Sequence, residues 1–416
     1  MTDFALPAGH QPTANKDIKV MALVGAAHGC SHFFQLVLPS LFPFLKDAFQ
    51  VSYTELGIVT TMFYVVSGVL QTPAGFLVDR IGARNVLIGG LGIFCFGILM
   101  LSLVQSYWLL MPVMLIAGLG NCVFHPADYS ILSASIDQKR LGMAYGTHTF
   151  AGNLGWALAP ALMGGVAAFA GWHAAPAVAA VIGLGILAAL VLNRELLKDD
   201  AGLARREKKA GTETAGKAVP LGPLLTLPVL MCFVYFMFNS TVTVGLQNFM
   251  PATLLALYGT PLAIGTTALT GFLLASAGGI LVGGWAADRG LKVEMSVIGG
   301  MLGGAALMLL VALVPMPTMA MIAAIASAGF LIGFTVPSRD LIVRGATPKG
   351  ASGRVFGFVY SGLDAGSALA PLVMGQLLDH GHADGVLFFV AAVLACGMFT
   401  AITVRRRSQT QTTQAV

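Results

Sequence analysis

Charge is scarce in this chain. Asp, Glu, Lys and Arg make up 10% of its 416 residues, against 56% apolar types, whereas a soluble globular domain carries about 25% charged residues. That shortage excludes an ordinary water-soluble enzyme or nucleic-acid-binding domain, and the net charge of +5 requires no nucleic-acid partner. Cysteine is also thin. Cys30, Cys95, Cys122, Cys232 and Cys396 are scattered, odd in number and never in C-x-x-C spacing, which excludes a disulfide framework and a zinc cluster of cysteines. They read as small apolar packing residues. There is no Walker loop G-x-x-x-x-G-K-[ST] and no G-x-S-x-G elbow, so neither ATP hydrolysis nor serine-hydrolase chemistry is expected. No cofactor, no metal and no enzymatic activity is expected. The start, "MTDFALPAGHQPTANKDIKV", is too polar to be a signal peptide, so the first apolar run reads as a retained helix.

What the chain has is long apolar runs and 51 glycines, as is common where membrane helices pack closely. A helix needs about 20 apolar residues to cross a bilayer core. Runs of that size fall at 20–45, 55–78, 85–104, 108–135, 142–168, 172–193, 222–256, 262–287, 295–314, 318–343, 352–378 and 385–404. They do not alternate as barrel strands do, and open strands cannot cross lipid. The expected fold is therefore all-α, with twelve transmembrane helices. Of the 23 Lys and Arg, only Lys46 falls in an odd-numbered loop and Arg339 inside a span; the rest lie in the tails, at even-numbered loops or at the span ends beside them. That bias predicts both termini in the cytoplasm, with the protein in the plasma (inner) membrane.

The apolar pattern breaks once, at "RELLKDDAGLARREKKAGTETAGKAVPL" (Arg194–Leu221). The expected organisation is an N-terminal tail (1–19), a six-helix bundle (20–193), a cytoplasmic linker (194–221), a second six-helix bundle (222–404) and a C-terminal tail (405–416). The halves are similar at an offset near 210 residues. "GFLVDRIGARNVLIGG" (Gly75–Gly90) matches "GGWAADRGLKVEMSVIGG" (Gly283–Gly300), and "GMAYGTHTFAGNLGWALAPALMG" (Gly142–Gly164) matches "GRVFGFVYSGLDAGSALAPLVMG" (Gly353–Gly375) without a gap. That register sets Gly155 on Gly366 and Pro126 on Pro337. Two pseudo-symmetric bundles that rock about a shared site are the architecture of a transporter.

The motif "GFLVDRIGAR" resembles the loop signature of the major facilitator superfamily between its second and third helices, and "DRGLK" (Asp288–Lys292) resembles its second copy. "HGCSHFFQLVLPSLFPFL" (His28–Leu45) and "FHPAD" (Phe124–Asp128) resemble the fosmidomycin-resistance-like branch, which contains drug exporters; where that branch commonly has an Asn-Asp pair, this chain has Ser31 and His32. The resemblance implies the major facilitator fold. It also implies that spans three, six, nine and twelve lie outside the central cavity, and that Gly75, Asp79, Arg80 and Arg84, with Asp288 and Arg289, latch the halves in one conformation. Gly75 would allow close helix packing there. The run "GNLGWALAPALMGG" (Gly152–Gly165) resembles the family's fifth-helix antiporter motif and favours export.

Ionisable groups inside lipid are costly and usually face a cavity or a partner. Here they are His28 and His32, His125 and Asp128, His148, Arg339 and Asp340, and Asp364. His28 and His32 share a helix face; their spacing would suit a metal, but no carboxylate motif lies beside them, so cavity lining and proton handling are expected. His125 and Asp128 also share a face, beside Pro126, which bends the helix. The register sets Asp128 on Arg339, which suggests that these charges face each other across the cavity. Asp128, Asp364, His125 and His32 are the expected proton-coupling residues. His28, His32, Arg339, Asp364, Asn153, Gln35, Asn239 and Tyr360 are the expected substrate contacts. The expected function is proton-coupled export of a small organic compound, anionic or zwitterionic, by alternating access, one chain sufficing. The alternatives are uptake of an organic anion by symport or exchange, and a non-transporting membrane sensor.

Overall fold

The computed structural model describes residues 11–137, 140–197, 226–339, 342 and 352–414. Most of the linker and Asp340 lie outside the described residues, as do the side chains of Asp79 and Asp288. No strand occurs among the described residues. The helices are α1 (Gln11–Gln35), α2 (Val37–Ser40), α3 (Phe42–Phe49), α4 (Tyr53–Ile81), α5 (Ala83–Leu101), α6 (Tyr107–Asn121), α7 (Phe124–Ser135), α8 (Leu141–Ala170), α9 (Ala174–Leu192), α10 (Leu227–Tyr258), α11 (Leu262–Asp288), α12 (Val293–Leu313), α13 (Thr318–Phe334), α14 (Ser352–Asp379) and α15 (Ala383–Gln414). Among the described residues, ten helices are long and apolar enough to cross a membrane. The other two of the twelve are the broken run α1–α3 and α14, which carries Arg354, Asp364 and Asp379.

The breaks follow from residue chemistry. The fourth span is cut into α6 and α7 at Cys122–Val123. Pro126 lies just downstream; it has no N–H, and its ring crowds the carbonyl four residues back, that of Cys122. Its register mate Pro337 follows the end of α13 at Phe334. Between α4 and α5 the chain turns at Gly82, at φ +95°, a conformation open to glycine because it lacks Cβ.

Helix pairing repeats between the halves. In the first, α1 packs on α8, α4 on α6 and α5 on α9; in the second, α10 packs on α14, α11 on α13 and α12 on α15. The paired glycines Gly155 and Gly366 do the same work in each: a Cβ on Gly155 would lie 2.0 Å from the Gly29 carbonyl oxygen, and one on Gly366 2.1 Å from that of Met237. The halves meet along α4 with α14 and α8 with α11. The outer surface exposes large apolar side chains, Phe76, Trp108, Phe169, Leu192 and Met319 among them. A soluble monomer rarely shows so much apolar surface, whereas a chain solvated by lipid does.

Candidate functional site

A cavity of about 330 Å³ lies between the halves. Tyr129, Tyr145, Thr149 and Asn153 line it from the first half, and Ile280, Pro337 and Tyr360 from the second. None of its lining comes from α5, α9, α12 or α15, the third, sixth, ninth and twelfth spans. Two larger grooves, about 780 and 740 Å³, are walled by α1, α8 and α9 and by α8 and α11 with almost no polar atoms, so they offer nothing to orient a polar solute.

Beside the cavity, three helices of the first half bring their ionisable groups together. Asp128 on α7 has no exposed surface. His148 Nε2 lies 3.0 Å from its Oδ2 in hydrogen-bond geometry, and His28 Nδ1 lies 3.3 Å from the same oxygen without making a hydrogen bond. The His28 and His148 rings stack at 3.6 Å. The expected facing of Asp128 and Arg339 is not built. Asp128 turns into its own half toward α1 and α8, whereas Arg339 lies over the Phe236 ring at 4.3 Å and donates to Asn239 Oδ1 at 3.4 Å. His125 and Asp128 differ in exposure, Asp128 buried and His125 exposed, although His125 lies beside the same histidines, its ring 5.3 Å from that of His28, and next to Tyr129 of the cavity wall. Three residues are about 300° of helix, so the 60° between them parts a buried face from its edge.

His32 stacks on Trp156 at 4.1 Å. From there a hydrogen-bond chain crosses four spans: Trp156 Nε1 donates to Gln35 Oε1 (2.9 Å), Gln35 Nε2 to Asn121 Oδ1 (3.2 Å), and Asn121 Nδ2 to Ser67 Oγ (2.8 Å). Gln35 thus spends both ends of its amide on neighbouring helices and is not free for a substrate. Asn153 and Tyr360 face the cavity from opposite halves. Asn239 is buried on α10 beside Arg339.

Asp364 lies in the seam between the halves instead of lining the cavity. It packs on Gly68 of α4 so closely that a Cβ there would lie 2.8 Å from its own Cβ. The seam runs on from that point. Thr61 Oγ1 donates to the Ala368 carbonyl at 2.7 Å, and a Cβ on Gly57 would lie 2.6 Å from the Pro371 carbonyl oxygen. At its end Asp379 accepts from Tyr53 N (2.8 Å), Thr54 N (2.7 Å) and Thr54 Oγ1 (2.5 Å). Ser52 and Glu55 close a capping box on the same helix start. A helix N-terminus leaves amides without intrahelical partners; here one half of the molecule caps a helix of the other.

The seam is closed at the α4 N-terminus. Of the groups expected to latch the halves, Arg84 and Arg289 make contacts within their own half. Arg84 donates to the Arg194 carbonyl at 3.2 Å, and Arg289 lies 3.9 Å over the ring of Trp285 on its own helix. Gly75 is not a close-packing point, since a Cβ there would make only ordinary contact, 4.0 Å from Pro126. Arg80 is exposed.

Sequence reasoning missed His148 as the partner of Asp128, and Asp379 and Thr54 as a clasp. Twenty residues separate His148 from Asp128 and 325 separate Thr54 from Asp379, so no local periodicity links them.

Two helical halves around a cavity at their seam, clasped together at one end, are the architecture of an alternating-access membrane transporter. The sequence model of the Major Facilitator Superfamily matches residues 24–266 and 242–415, and the chain belongs to that superfamily, whose members are transporters and not enzymes. It is 21% identical over 393 residues to the fosmidomycin resistance protein of Escherichia coli (strain K12), covering 93% of each chain. It is 26% identical over 373 residues to the membrane sensor protein UhpC of the same organism, covering 84% of this chain and 82% of that one. It is 30% identical over 141 residues to the uncharacterized MFS-type transporter YfnC of Bacillus subtilis (strain 168), a match spanning 34% of each chain. The crystal structure of a bacterial homolog of the human lysosomal transporter Spinster, inward-facing and occupied, superposes with a TM-score of 0.74 at 14% identity, covering 96% of this chain and 98% of that one.

Proposed function

We propose that the protein is a secondary active transporter that exports a small organic compound by alternating access, coupled to protons. The observation that carries this reading is Asp364. It is a carboxylate embedded in the membrane-spanning region, pressed on Gly68 of the opposite half, with no hydrogen bond or ion pair to another described residue. The buried Tyr64 hydroxyl, also without a hydrogen-bond partner, lies one turn away on α4. Parting the seam replaces these protein neighbours with water, so the charge on Asp364 and the opening of the seam are linked, and linkage is reciprocal. A proton gradient then drives the conformational cycle.

Asn153 and Tyr360 are the proposed substrate contacts in the cavity, with Arg339 and Asn239 behind them; a bulky solute held between the halves couples its own release to their motion. Lys and Arg placement supports cytoplasmic termini in the plasma membrane, and a cavity lined by both halves of one chain supports function as a single chain. Similarity to the fosmidomycin resistance protein and the glycine-rich fifth span favour export. A second reading, uptake of an organic anion, is favoured by Arg339, a fixed positive charge beside Asn239. Similarity to UhpC supports a third, a sensor that binds without transport.

The test is flux in proteoliposomes under an imposed pH gradient, with fosmidomycin and a series of organic anions as solutes. Wild type is expected to move at least one solute against its gradient. Asp364→Asn is expected to lose gradient-driven accumulation while still exchanging solute at equal pH. Full coupling in that variant overturns the proton step. Solute binding without any flux in wild type favours the sensor.

A further inference from the structure

The coupling reading leaves the His28–Asp128–His148 cluster without a task. We propose that these three side chains form a binding site for a divalent transition-metal ion of the zinc class, with its fourth position toward the central cavity. The inference stands apart from the transport reading and does not depend on it.

The donor atoms carry the argument. His28, Asp128 and His148 each offer one donor atom within 4.8 Å of the other two, and all three residues are buried. In a tetrahedral zinc site with bonds of about 2.0–2.1 Å, neighbouring ligand atoms are about 3.3–3.4 Å apart. Two edges of the cluster are at or near that length, 3.3 Å from His28 Nδ1 and 3.0 Å from His148 Nε2 to Asp128 Oδ2. The third, between the histidines, falls within 4.8 Å for at least one choice of donor atoms. Two imidazoles and one carboxylate are the ligand set of open zinc sites, in which a solvent or solute oxygen completes the tetrahedron. Hard cations such as magnesium or calcium require more oxygen donors than one carboxylate gives.

A second observation points to a ligand. Buried polar atoms nearly always have a partner, yet His28 Nδ1, a proposed ligand atom, and Asp128 Oδ1 find no hydrogen-bond partner among the described residues. A bound cation would take up the lone pair of His28 Nδ1, and its solvent would donate to Asp128 Oδ1. There is also an entry path. Exposed His125 lies with its ring 5.3 Å from that of His28, and Tyr129 of the cavity wall lies 5.2 Å from His148. His125 is suited to pass an ion inward or to supply the fourth ligand.

The test uses untagged full-length protein in detergent, stripped with chelator, equilibrated with Zn²⁺ or Co²⁺ and desalted. Wild type is expected to retain a single equivalent of Zn²⁺ by mass spectrometry. With Co²⁺ it should show the intense visible absorption of a four-coordinate ion with nitrogen and oxygen donors. His28→Ala and His148→Ala are expected to weaken binding by more than the roughly 10–100-fold that loss of an outer-shell partner costs. Asp128→Cys should add a sulfur-to-cobalt charge-transfer band, which names the ligand. The exposed pair His380 and His382 serves as the control, and the double variant His380→Ala/His382→Ala should bind as wild type does. The proposal is overturned if wild type retains no metal, if bound Co²⁺ gives only the weak spectrum of an octahedral ion, or if binding is lost in the His380/His382 variant and kept in the His28 and His148 variants. The wild-type measurement decides even if a cluster variant fails to fold.

Discussion

At the scale of single residues, the clearest constraints are steric. Gly155 and Gly366 let α8 and α14 touch the backbones of α1 and α10, and a side chain at either point has nowhere to go. Gly155→Val and Gly366→Val should each cost at least about 1–3 kcal/mol by overpacking, seen as a lower thermal midpoint and poor recovery in detergent. Gly165→Ala, where nothing lies within 4 Å of a new Cβ, should leave both unchanged. The polar residues divide by what their neighbours leave them. Gln35 is committed to Trp156 and Asn121, and Asp128 to its histidines, while Asn153 and Tyr360 keep a face toward the cavity. Replacing Asn153 or Tyr360 by Ala should therefore weaken solute binding, raising KM without unfolding the protein. Gln35→Ala should instead cost about 1 kcal/mol of stability for each hydrogen bond left unmade, seen as a lower thermal midpoint.

At the scale of elements, the seam between α4 and α14 is the informative contact. Four of its points, Thr54, Gly57, Thr61 and Gly68, fall on one side of α4 and stop halfway along it. The helix is thus held to the opposite half along its N-terminal part. The clasp at Asp379 combines hydrogen bonds to free amides with a negative charge at the positive end of a helix. Asp379→Ala should remove about 1 kcal/mol from the closed seam. Since a difference of 1.4 kcal/mol is tenfold in population, the seam should open several-fold more often. In a background with Cys396→Ser, the one exposed cysteine, Thr61→Cys should then react faster with an impermeant maleimide from the side of the α4 N-terminus. An unchanged rate would mean that the clasp does not limit opening.

At the scale of the molecule, one arrangement repeats: α1 with α8 is matched by α10 with α14, and the seam contact α4 with α14 by α8 with α11. Such symmetry permits the halves to rock about their seam, parting the clasped end. The membrane orientation can be checked from the cavity. Asn153→Cys and Tyr360→Cys should be labelled in inside-out vesicles and protected in right-side-out ones. The reverse result would invert the assigned topology or the resting state.

The sequence alone determined the membrane-spanning helical class, because the low charge and apolar run lengths answer to the bilayer and to no finer detail. It also determined the repeat, because glycines and prolines needed at backbone crossings cannot drift far; the Gly155–Gly366 register is one that the structure uses at both points. The breaks at Pro126 and Pro337 were legible for the same local reason. What the tertiary structure decided was which charge meets which. His148 reaches Asp128, Asp379 reaches Thr54 and Asp364 reaches Gly68 across long stretches of chain, while Arg339 turns to Asn239. Side-chain direction depends on how each helix is rotated in the bundle, and a rotation of a few tens of degrees separates a buried group such as Asp128 from an exposed one such as His125 without altering the pattern of the sequence.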